Sequence, residues 1–292
     1  MPDFSSVVHG SRKSQLHMHR GSRVSSMADE QTPSRLAGIK VAAIDLDGVV
    51  YEGKTMIAGA DAAISGLRRR GLRIVFATNS SVRTRAEIAV KLRGMGIPVE
   101  KDEVVTSAYV AGLLVRDIGA KRVLVIGAKG LKQEVVWGSA AVVSEPPCDV
   151  VVVGMDTAFS YDKILLAMEA IRGGAVFVAC NRDASFPGSD GRTYPGCGPI
   201  VAAVEAAVGF PPHHIAGKPN VLMLDIIAGR HDVSPHEILV IGDGIESDIE
   251  MAAAFGSPSA LVAPSAFESK PGTARPTYTI RSLANMASLL GG

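Results

Sequence analysis

Four short clusters in this chain carry side chains whose types and spacing could do chemistry together. They are Asp45-Leu46-Asp47-Gly48, Thr78-Asn79-Ser80-Ser81, Gly217-Lys218-Pro219, and Gly242-Asp243-Gly244 with Asp248 shortly after. Asp45 and Asp47 are two apart, so an extended segment turns both to one side with Leu46 opposite. Carboxylates this close repel, and one takes up a proton unless a cation lies between them. A hard divalent cation held by oxygen ligands meets that need. An EF-hand is excluded, because it places its glycine later and its ligands on a loop. Asp243 and Asp248 would add two more acids to such a centre. Lys218 can supply positive charge, and its neighbours Gly217 and Pro219 fix the backbone that carries it. Thr78, Asn79 and Ser80 offer hydroxyl and amide donors where a strand leads into a helix. With the backbone N–H groups and the helix N-terminus, such a turn can hold a phosphate.

Each cluster also has an ordinary structural reading. Asp-rich turns closed by glycine are common. Asp248 could be an N-terminal helix charge, Ser80 or Ser81 a helix cap, and Lys218 a surface lysine. None of these explains why two acidic pairs should converge.

The elements that must bring the clusters together alternate between strand and helix. Strands are expected at Val41–Leu46, Arg73–Thr78, Arg122–Ile126, Val150–Val153, Val176–Ala179, Ile238–Ile241 and Ala260–Val262. Helices are expected at Ala60–Arg70, Thr84–Gly94, Ser107–Ile118, Tyr161–Arg172, Pro199–Val208, Asn220–Arg230, Ser247–Phe255 and Ser282–Leu290. This alternation, with near-continuous apolar strands such as Val150–Val153, predicts an α/β protein. Its core is a Rossmann-like doubly wound parallel sheet covered on both faces. Ligands of such sheets bind beyond the carboxyl ends of the strands, where three of the clusters fall; the Gly217–Pro219 cluster lies at the entrance to a helix. The stretch between Thr78 and Lys218 is long enough to hold a second α/β domain, expected at 119–212, with the core formed by 38–118 and 213–292.

Composition narrows the class. The chain has 292 residues, 47% hydrophobic and 20% charged, with a formal net charge of +1. That excludes a chain disordered throughout and gives no support for a nucleic-acid binder. No apolar run is long enough for a transmembrane helix. The three cysteines, Cys148, Cys180 and Cys197, form no CxxC pair and read as free thiols of a reducing cytoplasm. Cys197, between two glycines, is the one to check for exposure. Residues 1–37 are rich in Arg, Ser and His, with no apolar periodicity. They read as a disordered extension, with an organelle transit peptide or a true start at Met27 as alternatives.

In order along the chain, DLDGVV (Asp45–Val50), TNSS (Thr78–Ser81), GKP (Gly217–Pro219) and GDGIESDI (Gly242–Ile249) resemble the four motifs of the haloacid dehalogenase-like (HAD) phosphohydrolases. The intervening segment is similar to the α/β cap of the NagD-like, 4-nitrophenylphosphatase subgroup. It does so through Gly154–Asp156, Tyr161, the stretch from Gly173 to Pro187 with Asn181 and Asp183, and Gly196–Glu205. The resemblance implies an inserted α/β cap domain and a Mg²⁺-dependent phosphatase of small phosphorylated metabolites. Asp45 would be the nucleophile that forms an aspartyl-phosphate. Asp47 would be the general acid/base, with its carbonyl on Mg²⁺. Thr78 and Lys218, with Asn79 and Ser80, would bind the phosphoryl group. Asp243 would ligate the metal and Asp248 support its shell. Asn181 and Asp183 are candidates for substrate contact from the cap, against the alternative of a loop turn; Asp156 is similar. The resemblance also allows a homodimer through the cap, since the subgroup includes such dimers. Gly244 departs from the pattern, standing where an arginine is common. A phosphoryl transferase or mutase could use the same intermediate. A receiver-like phospho-acceptor shares the acids, the hydroxyl and the lysine, but not the length or the second acid two residues on. A dinucleotide oxidoreductase lacks its GxGxxG.

Overall fold

The computed structural model describes residues 37–138, 140–188, 190–265 and 272–289. Apart from Ala37, the expectation for residues 1–37 lies outside them. The first part runs β1 (Val41–Ile44), β2 (Tyr51–Glu52), β3 (Thr55–Met56), α1 (Ala60–Arg69), β4 (Arg73–Thr78), α2 (Arg85–Gly94), β5 (Val104–Thr106) and α3 (Ser107–Ile118). There follow β6 (Arg122–Ile126), α4 (Lys129–Trp137), β7 (Ala141–Val143), β8 (Val150–Val153), α5 (Tyr161–Arg172), β9 (Val176–Ala179), β10 (Ser185–Pro187), β11 (Thr193–Pro195), α6 (Cys197–Val208) and β12 (His214–Ile215). The chain closes with α7 (Leu222–His231), β13 (Ile238–Gly242), α8 (Glu250–Phe255), β14 (Ser259–Val262), β15 (Tyr278–Ile280) and α9 (Met286–Leu289).

A six-stranded sheet has the order β15-β14-β13-β1-β4-β5, and every neighbouring pair is parallel. Along β1, Ala42 and Ile44 join one apolar cluster while Val41 and Ala43 join the other, so helices cover both faces. This is why β1 is buried throughout and its sequence does not alternate with polar residues. The first strand lies in the middle, with β4 on one side and β13 on the other, which makes a topological switch point beside Asp45. A five-stranded parallel sheet, β12-β9-β8-β6-β7, forms the second layer system, with β12 following Pro212 in the chain. One apolar cluster runs from Val41 and Val75 of the first sheet to Val123 and Val151 of the second, so the two are packed together.

The interface between them depends on close backbone approach. A Cβ on Gly112 of α3 would stand 2.5 Å from the Glu134 carbonyl of α4. Arg85, at the start of α2, is buried there with its guanidinium 3.6 Å from the Tyr109 ring centroid and 4.8 Å from that of Trp137. Its backbone N–H donates to Glu134 Oε1 at 2.8 Å, and its Nε lies 3.5 Å from Glu134 Oε2.

Most expected elements are present, with informative differences. β1 ends at Ile44 rather than Leu46, because the Leu46 carbonyl turns to accept N–H groups from Val50 and Tyr51. Lys218–Pro219 is a cis bond, and helix α7 begins only at Leu222. Asp248 lies in a π-helical turn, Ile245–Ile249, ahead of α8, and not in a first α-turn. At the C-terminus, a 3₁₀ turn at Leu283–Asn285 precedes the short α9. Cys197, singled out for exposure, is buried; Cys148 is the half-exposed thiol. Among the described residues, no helix is long and apolar enough to cross a membrane.

Candidate active site

Asp45 follows β1 directly, its N–H bonded to the Ile241 carbonyl of β13 at 2.8 Å. Lys218 reaches it from the segment between the two sheets. Its Nζ is 2.7 Å from Asp45 Oδ1, 2.7 Å from Asp248 Oδ1 and 3.2 Å from the Ala77 carbonyl. Lys218 is only 3% exposed, so the surface-lysine reading fails. The other oxygen of Asp248 accepts from Ser247 Oγ at 3.0 Å and from the Gly244 N–H at 3.3 Å. One carboxylate oxygen from each of Asp45, Asp243 and Asp248 lies within 4.8 Å of the other two. The Asp47 carboxyl is not part of this group. Lys91 and Arg83 exert their positive charge on Asp47, and the Lys91 ammonium rests 3.1 Å from the Tyr51 ring centroid. Sequence reasoning missed both cations, since their separation from Asp47 along the chain gives no spacing signal.

Thr78 ends β4 beside the acids and is buried; its Oγ1 accepts the Ser80 N–H at 3.2 Å. Asn79, expected as a phosphate donor, has its amide engaged elsewhere. Its Oδ1 accepts from the Lys218 N–H, and its Nδ2 donates to Asp183 and to the Lys218 carbonyl. Ser81 Oγ accepts the Met155 N–H at 2.9 Å from the second sheet. The N-terminus of α2, expected to help hold a phosphate, is closed on itself: Thr84 and Glu87 form a reciprocal capping box. Asn181 is buried and donates to the Asn79 carbonyl at 2.7 Å. Asp156, the third residue considered on the cap, accepts the Ala158 N–H and pairs with Lys163 at 2.6 Å, which is turn chemistry.

The electrostatics follow from burial. Desolvation pushes the Asp45 carboxyl well above the ordinary range, against the pull of Lys218 and with added repulsion from Asp248 and Asp243. Desolvation, then Asp248, raises Asp243 to about 6. Desolvation also raises Asp47, opposed by Lys91, Lys218, Tyr51 and Arg83. Burial works against the charge of Lys218, but Asp248 and Asp45 outweigh it and hold its pKa above the ordinary value. Such a centre, short of positive charge, fits a small hard cation. Its donors are oxygens, and Gly48, at φ +78°, leaves free the space in which a Cβ would collide with Asp243 Oδ2.

Residues 42–136 match the model of the haloacid dehalogenase-like hydrolases, and residues 215–286 that of the HAD-hydrolase-like proteins. The sugar-phosphatase AraL of Bacillus subtilis is 36% identical over 266 residues, covering 90% of this chain and 96% of that relative. The chain belongs to the haloacid dehalogenase-like hydrolases. Within the HAD hydrolases, 4-nitrophenylphosphatase of Thermotoga maritima superposes with a TM-score of 0.79 at 29% identity, over 87% of this chain and 98% of that one. The glycerol phosphate phosphatase of Mycobacterium tuberculosis, in complex with magnesium, gives 0.79 at 32% identity, over 88% and 80%. This HAD hydrolase is therefore an enzyme, a phosphoric monoester hydrolase of the NagD-like, 4-nitrophenylphosphatase group, with an inserted α/β cap.

Proposed function

We propose that this enzyme is a Mg²⁺-dependent phosphatase acting on small phosphomonoesters of the sugar phosphate, glycerol phosphate or nucleotide type. The observation that carries the reading is Lys218, whose buried ammonium joins Asp45 and Asp248 at 2.7 Å each beyond the ends of β1 and β4. A cation there is placed to hold a phosphoryl group against Asp45. The sugar and glycerol phosphatases among the relatives support the substrate class.

In the first step an oxygen of Asp45 attacks phosphorus, and the bond to the leaving oxygen breaks. Asp47 donates its proton to that oxygen; the raised pKa of its carboxyl suits a proton donor. Asp45 Oδ1 holds Lys218, so we assign the attack to Oδ2. Lys218 and the Thr78 hydroxyl bind the phosphoryl oxygens. In the second step Asp47 takes a proton from water as the water attacks phosphorus. The acyl-phosphate bond breaks, releasing inorganic phosphate and restoring Asp45. Asp45, Asp243 and the Asp47 carbonyl would hold Mg²⁺, with Asp248 orienting Lys218. When bound, the metal supplies positive charge against the phosphoryl oxygens. The three free cysteines suit a cytoplasmic enzyme.

Hydrolysis of 4-nitrophenyl phosphate tests the reading. Turnover should require Mg²⁺ and be lost in Asp45→Asn. Full activity in EDTA, or in Asp45→Asn, overturns it.

A further inference from the structure

Asn79 stands between Lys218 and the second sheet. Its side-chain amide accepts the Lys218 N–H at 2.8 Å and donates to the Lys218 carbonyl at 3.2 Å. It thus grips the lysine's backbone on both sides, as a neighbouring strand residue would. The remaining Nδ2 hydrogen goes to the Asp183 carboxylate, at 3.0 and 3.1 Å from its two oxygens. Asp183 is itself fixed, since its N–H donates to Asn181 Oδ1 at 3.0 Å while Asn181 Nδ2 donates to the Asn79 carbonyl at 2.7 Å. The contact is tight enough to require glycine at position 217. A Cβ there would stand 2.5 Å from Asn79 Oδ1 and 2.6 Å from the Cys180 carbonyl.

A bond from a carboxylate to an amide N–H is charge-assisted and stronger than a neutral one. It fixes the orientation of the Asn79 amide, because only the NH₂ end can face Asp183. That in turn puts Oδ1 toward the Lys218 N–H. Long lysine side chains have many rotamers, so the place of the ammonium depends on the backbone from which it starts.

We propose that Asp183, with Asn181, is a positioning residue for Lys218, acting through Asn79. The cap therefore helps set the place of the phosphoryl-binding cation, besides any screening of leaving groups. This rests on the assignment of Lys218 to the phosphoryl group.

Three enzymes test it: the wild type, Asp183→Ala and Asp183→Asn, all full-length and checked for native melting. Each is assayed for kcat and KM on 4-nitrophenyl phosphate and on glycerol 3-phosphate, with Mg²⁺. A misplaced catalytic group costs on the order of 10-fold or more in rate. Asp183→Ala should lose that factor on both substrates alike, mainly in kcat, and should bind inorganic phosphate more weakly by calorimetry. Asp183→Asn, which keeps an acceptor, should recover most of the loss. In ¹H–¹⁵N spectra of the phosphate-free protein, the Asn79 side-chain and Lys218 amide resonances should move in Asp183→Ala. If either variant loses glycerol 3-phosphate turnover alone, with 4-nitrophenyl phosphate unchanged, Asp183 is a substrate contact and the inference fails. Unmoved Asn79 and Lys218 resonances also overturn it. A wild type without phosphatase activity instead removes the functional reading beneath it. Should Asp183→Ala not fold, the near-isosteric Asp183→Asn and the spectra still decide.

Discussion

Asp45 and Asp248 share a single ammonium, with Lys218 Nζ 2.7 Å from Oδ1 of each. Both acids are buried, so removing the cation leaves two carboxylates facing each other without compensation. Breaking a buried ion pair from one side costs about 3–5 kcal/mol. Lys218→Met should therefore lower metal-free stability by that order in urea unfolding, and Mg²⁺ should restore part of it. Turnover should fall by roughly 10²–10³-fold, as for loss of a preorganised charge stabiliser. Wild-type stability without Mg²⁺ would show that the pair is not strained by its own repulsion.

The acid role proposed for Asp47 makes the effect of its loss depend on the leaving group. In Asp47→Asn, kcat/KM for glycerol 3-phosphate should fall by about 10²–10⁴-fold, the range of general acid catalysis. 4-Nitrophenolate departs without a proton, so kcat/KM for its ester should fall much less. Equal losses on the two esters would remove Asp47 from leaving-group protonation.

Asp243 titrates near pH 6 when folded, against an ordinary value of 3.8. Between those values the folded protein holds more protons than the unfolded chain, so metal-free stability falls as pH rises through the window. In the proposed metal site, Mg²⁺ would compete with that proton. The increase in Tm on adding Mg²⁺ should therefore be larger at pH 7.5 than at pH 5, as followed by calorimetry. An increase that does not change with pH would separate Asp243 from the metal.

Glu134 is the buried counter-charge of Arg85, whose guanidinium also lies 3.4 Å from the exposed Asp102. Glu134→Ala leaves that guanidinium with only the exposed partner, and should cost up to about 3 kcal/mol in urea unfolding. Trp137 is the chain's one tryptophan and packs in this contact, so its emission reports the loss directly. An unchanged midpoint would mean that the glycine packing of α3 on α4 suffices.

Gly244 leaves room for Ser247, since a Cβ there would collide with Ser247 Oγ, which holds Asp248 Oδ2. Gly244→Ala should lower kcat, and adding Ser247→Gly should relieve the clash, so the double variant should exceed the additive expectation. Simple additivity of the two changes would show that they do not share this contact.

The strand ends were legible because their chemistry is local. Asp45 follows the apolar run of β1 and Asp243 the run Ile238–Ile241 across Gly242, each with a glycine within three residues after it, and both end beside the switch point. Lys218 could be suspected from Gly217 and Pro219, but its two carboxylate partners lie 173 and 30 residues away. Asn79 illustrates what spacing hides. As part of TNSS it looks like a phosphate donor, yet its amide is committed to residues 104 and 139 positions on. Helix α4 is not among the expected helices. Gly130 is small because it packs against the Val82 carbonyl and the Arg83 backbone. Short edge elements such as β7 and β12 owe their conformation to the strand beside them rather than to their own few residues.

The neighbours of β1 come from opposite ends of the sequence, β4 soon after it and β13 nearly two hundred residues later. During synthesis, the strand that carries Asp45 thus has one bare edge until residue 242 has left the ribosome. Throughout that interval the nascent chain exposes a row of unpaired backbone groups open to mispairing. Asp243 and Asp248 emerge only at the close of the same interval. A chain cut short of that point therefore lacks both β13 and the two acids that gather beside Asp45 in the whole protein.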